Sequence, residues 1–136
     1  MNELREKYYR SLFLIAAIYD IFLGIVFTFF FRFAFELLGI TEKLPEYNAY
    51  ISLIGAFLFV IGVAYYLIYR GDLHKNRDLI LVGALYKLAY CAISFYYLAI
   101  GEIPHIIFFS LFGVVDLIMF VTMMECFIFL GRITQE

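Results

Sequence analysis

Four long apolar segments, separated by short polar stretches, make up most of this sequence. They run Ser11–Phe31, Tyr47–Tyr69, Asp78–Ile100 and His105–Leu130. At about 1.5 Å of rise per residue, each segment can cross a hydrocarbon core roughly 30 Å thick as one helix. The pattern therefore predicts an all-α polytopic membrane protein, with residues 1–136 forming a single integral membrane domain.

Composition indicates the same class of protein. The 136 residues are 65% hydrophobic and 21% aromatic, which excludes an ordinary soluble domain. The connectors are too short to hold a folded soluble domain, so any chemistry lies within the helices or at their edges. A formal net charge of −2, with no dense group of Lys or Arg, excludes a nucleic-acid-binding surface.

Small or polar residues recur at helical spacing in every segment. The main ones are Ala16, Asp20, Gly24 and Thr28, then Ser52, Gly55 and Gly62, then Gly83, Lys87, Tyr90 and Ser94, then Gly113 and Asp116. Such stripes let membrane helices approach closely. The tight turn Gly101–Pro104 makes the third and fourth segments antiparallel neighbours. We therefore expect an antiparallel bundle of four transmembrane helices.

Connector chemistry predicts the orientation of this bundle. Seven basic residues are predicted to lie on the side of the two termini, and two on the other side. The seven are Arg5, Lys7, Arg10, Arg70, Lys75, Arg77 and Arg132. The two are Arg32 and Lys43. The positive-inside rule then gives an N-in, C-in topology. The first connector, Arg32–Glu46, is predicted to form a short interfacial helix that Gly39 ends.

Three ionisable residues, Asp20, Lys87 and Asp116, interrupt the apolar segments, and we call them the charged layer. Counted from the cytoplasmic ends, Asp20 and Lys87 lie about 13 Å deep and Asp116 about 15–21 Å deep. Ionised groups near a membrane centre cost several kcal/mol unless they are paired or hydrated. The shared depth therefore predicts a buried network, whose formal charge is −1 when all three groups are ionised.

Two interpretations of the charged layer remain open. In the structural one, Lys87 pairs with one aspartate, and the other is neutral and hydrogen-bonded to Tyr19, Tyr86 or Tyr90. In the functional one, the layer binds a proton or a ligand, because ionisable residues inside membranes usually mark functional sites.

No catalytic or metal-binding motif accompanies the charged layer. Cys91 and Cys126 lack a Cys-x-x-Cys spacing and differ in depth by about 13 Å, beyond the ~7 Å between alpha carbons that a disulfide spans. We expect both to be apolar packing residues. His74 and His105 fall on opposite sides of the membrane and cannot share a metal ion. The sequence thus indicates no cofactor and favours a non-enzymatic role.

Several stretches of the chain resemble small bacterial four-helix membrane proteins of the DoxX-like kind. The resemblance rests on Gly55–Tyr65, Asn76–Lys87 and Val115–Leu117 and extends over nearly the whole chain. It implies a compact four-helix bundle in the bacterial cytoplasmic membrane, with Lys87 and Asp116 at positions of the family pattern. It also implies an oxidoreductase or accessory role in a membrane complex, although this chain has no redox-cofactor motif of its own.

Three functions fit these features. An accessory or structural subunit would use the charged layer to fix helix register and its aromatic surface to meet membrane lipid or a larger complex. A proton-linked transporter, working as a homo-oligomer, would use Asp20, Lys87 and Asp116 as a relay. A binding protein or enzyme would hold a lipophilic small molecule, such as a quinone or sterol-like molecule, near Tyr65, Tyr86 and Lys87.

These functions predict different cavities. A water-accessible path to the charged layer would favour the transporter, and a closed apolar pocket touching the layer would favour the ligand-binding protein. A structural subunit needs neither. We expect the accessory or ligand-binding kind, organised around the charged layer.

Overall fold

The computed structural model describes residues 1–135, and every regular element in that range is helical. In chain order the helices are α1 (Glu3–Phe29), α2 (Phe31–Leu37), α3 (Asn48–Arg70), α4 (Arg77–Ala99) and α5 (Ile106–Gln135). All except α2 are long and apolar enough to cross a membrane, by length and composition. The predicted all-α fold with four membrane-spanning helices is confirmed at this level.

Two helices extend further than the apolar segments that predicted them. Helix α1 begins at Glu3 instead of Ser11, and α5 continues past Leu130. The Asn2 side chain caps α1 by accepting a hydrogen bond from the Arg5 backbone N–H at 2.8 Å. Hydropathy marks only the part of a helix that suits the membrane, whereas propensity and capping decide where the helix ends.

One stretch of α5, Ser110–Val115, is wound as a π-helix, and Asp116 follows it directly. A π segment accommodates an extra residue and so turns the following helix face by about 100°. Asp116 lies on the buried face of the α-helix that follows, together with Met119 and Met123. The apolar pattern of the sequence gives no sign of the π segment.

Glycines end α2 and α4 in the same way. Gly39 has φ 71° and Gly101 has φ 75°, a left-handed conformation that costs glycine no side-chain clash. After Gly39, the Ile40 N–H donates to the Phe35 carbonyl at 3.0 Å. The predicted short helix ended by Gly39 is therefore confirmed, while its position at the membrane interface stays a prediction.

Helices α1 and α3 pack with their backbones nearly touching. A β-carbon added at Gly24 would lie 2.6 Å from the Phe59 backbone nitrogen, and one added at Gly62 would lie 2.8 Å from that of Ile21. Gly55 packs in the same way against the Gly24 carbonyl. The small-residue stripes of the first two segments thus lie at this contact, as expected.

Helices α4 and α5 form a second packed pair, and the contact between α3 and α4 is weaker. Two apolar cores fill the molecule. One surrounds Tyr9, Phe13 and Tyr65, and the other surrounds Phe27 and Phe112. The charged layer lies between these two cores.

Candidate functional site

The structure brings all three residues of the charged layer into direct contact. The Lys87 ammonium nitrogen lies 2.9 and 3.0 Å from the two Asp20 carboxylate oxygens and 3.0 Å from Asp116 Oδ1. The three side chains are only 0–1% exposed. Each of the three ammonium protons can therefore be directed at a carboxylate oxygen, which is the full donor capacity of a lysine.

Three different helices supply these residues. Asp20 lies on the buried face of α1, Lys87 on that of α4, and Asp116 follows the π segment of α5. Because α1 packs chiefly on α3 while α4 packs chiefly on α5, the charged layer joins two helix pairs. The expected buried network is present, but Lys87 pairs with both aspartates instead of one.

Two tyrosine rings enclose the lysine. The Lys87 nitrogen lies 5.1 Å from the ring centre of Tyr19 and 5.5 Å from that of Tyr65, within the range of a cation–π interaction. The Tyr19 hydroxyl donates to the Leu111 carbonyl at 2.7 Å, and the Tyr65 hydroxyl donates to the Gly83 carbonyl at 2.7 Å. These rings shield the charged layer, and their hydroxyls anchor α1 to α5 and α3 to α4.

The expected hydrogen bond from a tyrosine to a neutral aspartate is wrong for Tyr19, whose hydroxyl is used by a backbone carbonyl. Tyr86 does not form it either, because its buried hydroxyl has no hydrogen-bond partner among residues 1–135. The Tyr86 ring instead packs against the Tyr90 ring at a tilt of 45°, with ring centres 4.9 Å apart, and Tyr90 packs on Phe112 at 5.4 Å. An unpaired buried hydroxyl costs about 1–3 kcal/mol, so Tyr86 marks a locally unfavourable point beside the layer.

With all three groups ionised, the charged layer has a net charge of −1. It holds one ammonium and two carboxyl groups, and Lys87 is the only basic side chain of residues 1–135 within 4.0 Å of either aspartate. The described residues contain no group of His, Cys, Asp and Glu able to hold a metal ion. A proton bound by either aspartate would neutralise the layer.

A groove of about 540 Å³ opens between α3 and α4, where these helices diverge, and we call it the lateral groove. Its sides carry Ile51, Ile54, Ala89, Tyr90, Ile93 and Ser94, and its floor and end carry Phe27, Phe35, Pro104, Phe108 and Phe112. The lining is apolar except for the hydroxyl groups of Tyr90 and Ser94. The lateral groove is open and does not include Tyr65, Tyr86 or Lys87, whereas the ligand pocket was expected to be closed and to touch the charged layer.

Sequence reasoning missed a polar contact between the first turns of α1 and the second half of α5. The Tyr9 hydroxyl lies 2.9 and 2.8 Å from the two Glu125 carboxylate oxygens, and Arg5 lies 3.6 Å from the same carboxylate. Cys91 and Cys126 are free and buried. The His105 ring accepts a hydrogen bond from the Ile107 N–H at 3.1 Å and so caps α5.

No protein-family model, curated protein or solved structure matches this chain.

Proposed function

We propose that this chain is an antiparallel four-helix protein of the bacterial cytoplasmic membrane, related to the DoxX-like proteins, that binds a lipophilic small molecule in the lateral groove. The charged layer joins the two helix pairs and fixes the spacing between them. The single observation that carries the proposal is the lateral groove itself, a large apolar hollow with two hydroxyl groups. The protein is non-enzymatic in this proposal.

The order of helix contacts supports the antiparallel arrangement. Gly62 on α3 packs beside Ala17 and Ile21 on α1, whereas Gly55 packs beside Gly24 and Thr28. Residue numbers therefore rise along α1 as they fall along α3. Short connectors between successive long helices favour the same arrangement for the rest of the bundle.

Contacts of the basic residues support the N-in, C-in topology. The Arg10 guanidinium donates to the Tyr69 and Gly71 carbonyls at the end of α3. The Arg77 side chain donates to the Phe127 carbonyl of α5 at 3.1 Å. Arginines from different helices therefore gather at one end of the molecule, as the positive-inside rule requires of a cytoplasmic face.

The dimensions and chemistry of the lateral groove suit a small lipid-soluble ligand. Its volume of about 540 Å³ falls within the range of roughly 300–1,000 Å³ that small-molecule sites occupy. Ile54 and Ile93 on its rim are 43% and 59% exposed, so the groove opens sideways, toward lipid in a membrane. An apolar ring system with one or two carbonyl or hydroxyl groups, as in a quinone or sterol, matches this lining.

The burial of the charged layer disfavours a transport relay. A relay needs water or a chain of polar groups to reach the ionisable residues. Asp20, Lys87 and Asp116 are 0–1% exposed and lie between two apolar cores. Aromatic packing of Tyr90 on Tyr86 and Phe112 separates the layer from the lateral groove.

Tyrosine fluorescence tests the proposal, because the chain contains 12 tyrosines and no tryptophan. Purified protein in detergent is titrated with decylubiquinone and, separately, examined by native mass spectrometry for retained small molecules or added cholesterol. Ala89→Phe fills the lateral groove, and Ala56→Phe adds the same bulk at an exposed position of α3 that does not line it.

We expect saturable binding of one of these probes, or one retained molecule, for the wild type and for Ala56→Phe, with a loss of at least ten-fold for Ala89→Phe. Equal behaviour of the two variants would refute the assignment of the groove. An empty wild type that binds neither probe would favour an accessory subunit.

A further inference from the structure

A second groove lies along α5 near the end that carries both chain termini, and we call it the terminal groove. It has a volume of about 670 Å³ and lies far from the lateral groove. Its floor consists of apolar residues of α5 that include Val121, Met124 and Ile128. Arg5 and Arg132 stand on its rim. It therefore combines an apolar track with positive charge at one end.

The apolar track has the length of a lipid tail. Val121 is 11 residues before Arg132, which corresponds to about 16 Å along the helix. Val121 and Ile128 are 57% and 46% exposed, so the track faces the surroundings of the bundle. In a membrane, this surface meets acyl chains.

The arginines at the end of the track are held in place by aromatic rings. The Arg5 guanidinium lies 4.1 Å from the ring centre of Phe129, and that of Arg77 lies 3.9 Å from the ring centre of Phe127. Arg5 lies 3.6 Å from the Glu125 carboxylate and Arg77 Nε donates to the Phe127 carbonyl, and the remaining N–H groups of each guanidinium can bind an anion. Arg132 lies between these two arginines, because it also lines a smaller hollow of about 350 Å³ with Arg77.

The local charge is positive despite the presence of one acid. Glu125 lines the terminal groove, but its carboxylate accepts the Tyr9 hydroxyl at 2.9 and 2.8 Å and lies 3.6 Å from Arg5. Among residues 1–135, no hydrogen bond or ion pair engages the exposed Arg132 side chain. Two guanidinium groups and one carboxylate line the terminal groove, which leaves it a formal charge of +1.

We infer that the terminal groove binds an anionic phospholipid of the leaflet that surrounds the termini. The phosphate lies against Arg132 and Arg5, and one acyl chain lies along Val121 and Ile128. The occupant is a lipid and not a free phosphate, because the arginines stand at the end of an apolar track that only a molecule with a tail can cover. Basic hollows at the ends of transmembrane helices are suited to anionic headgroups.

Native mass spectrometry of the full chain in detergent tests this inference. The protein is titrated with dioleoyl phosphatidylglycerol or dioleoyl phosphatidylcholine, and bound lipids are counted. Arg132→Gln removes a rim charge that forms no hydrogen bond or ion pair with the described residues, and Lys75→Gln removes a charge from an exposed connector on the same side. Thermal unfolding of each variant verifies that the fold is unchanged.

We expect the wild type to bind phosphatidylglycerol at least ten-fold more tightly than phosphatidylcholine. Arg132→Gln should weaken phosphatidylglycerol binding about five-fold, the effect of about one interfacial charge, and Lys75→Gln should leave it unchanged. Equal binding of the two lipids, or equal losses in the two variants, would overturn the inference. Competition by millimolar inorganic phosphate would show that the arginines bind a free anion, and it would overturn the assignment to lipid.

Discussion

Replacing Lys87 with methionine removes the only basic group of the charged layer and keeps a side chain of similar length. The ammonium contacts at 2.9, 3.0 and 3.0 Å are lost together. The variant then holds two carboxyl groups that are 1% exposed and face each other across the vacated position. We expect this to be the most destabilising single substitution of the charged layer.

The magnitude follows from the burial of the two aspartates. Removal of one partner from a buried ion pair typically costs about 3–5 kcal/mol, because a charge is left without compensation. With about 2–4 °C of melting temperature per kcal/mol, Lys87→Met should unfold roughly 6–20 °C below the wild type. Lys75→Met, in the exposed second connector, is the matched control and should unfold with the wild type.

A compensated variant separates charge from packing. In the triple variant Asp20→Asn, Lys87→Met and Asp116→Asn, no ionised group remains in the layer. We expect it to recover at least half of the stability that Lys87→Met loses, since isosteric neutral groups remove the uncompensated charge. Thermal unfolding in one detergent, followed by circular dichroism, measures all of these proteins. A loss below about 1 kcal/mol for Lys87→Met, or a triple variant less stable than the single one, would refute the reasoning.

Five further substitutions test other parts of the structure by the same unfolding assay. Gly55→Ala should lower the free energy of unfolding by about 1–3 kcal/mol, because the added carbon would lie 2.8 Å from a backbone carbonyl of α1. An unchanged melting temperature would contradict the close helix contact. Tyr86→Phe should leave the stability unchanged or raise it by about 1 kcal/mol, whereas Tyr65→Phe should lower it by about 1 kcal/mol. The reason is that, of these two hydroxyls, only that of Tyr65 has a hydrogen-bond partner among residues 1–135. A larger loss for Tyr86→Phe than for Tyr65→Phe would disprove these hydroxyl assignments. Asp116→Asn should lower the stability less than Asp20→Asn, because both Asp20 carboxylate oxygens contact Lys87 and only one Asp116 oxygen does. Equal losses of stability would contradict this geometry.

The sequence pattern did not identify the aromatic residues that line the lateral groove. Phe35 and Phe108 are far apart in the chain and meet with ring centres 5.6 Å apart on the floor of the lateral groove. A weak sequence signal was available on α4, where Ala89 and Ser94 are small residues beside Tyr90. Small side chains of this kind allow a hollow to form, but they do not tell which aromatic residues will line it.

The sequence alone determined the helical class, the four long apolar helices, and the identity of the charged layer. These features follow from local quantities, namely the length of apolar runs, the spacing of small residues and the high cost of an isolated charge in an apolar medium. Because that cost is large, Asp20, Lys87 and Asp116 were expected to meet before their positions in space were known.

Only the tertiary structure decided how these residues meet. The pairing of Lys87 with both aspartates, the use of the Tyr19 hydroxyl by Leu111 and the opening of the lateral groove depend on the rotation and separation of whole helices. Those quantities come from the sum of many packing contacts, including the backbone approach of α1 to α3. No single stretch of sequence determines these rotations and separations, because the buried face of each helix depends on the helices that pack against it.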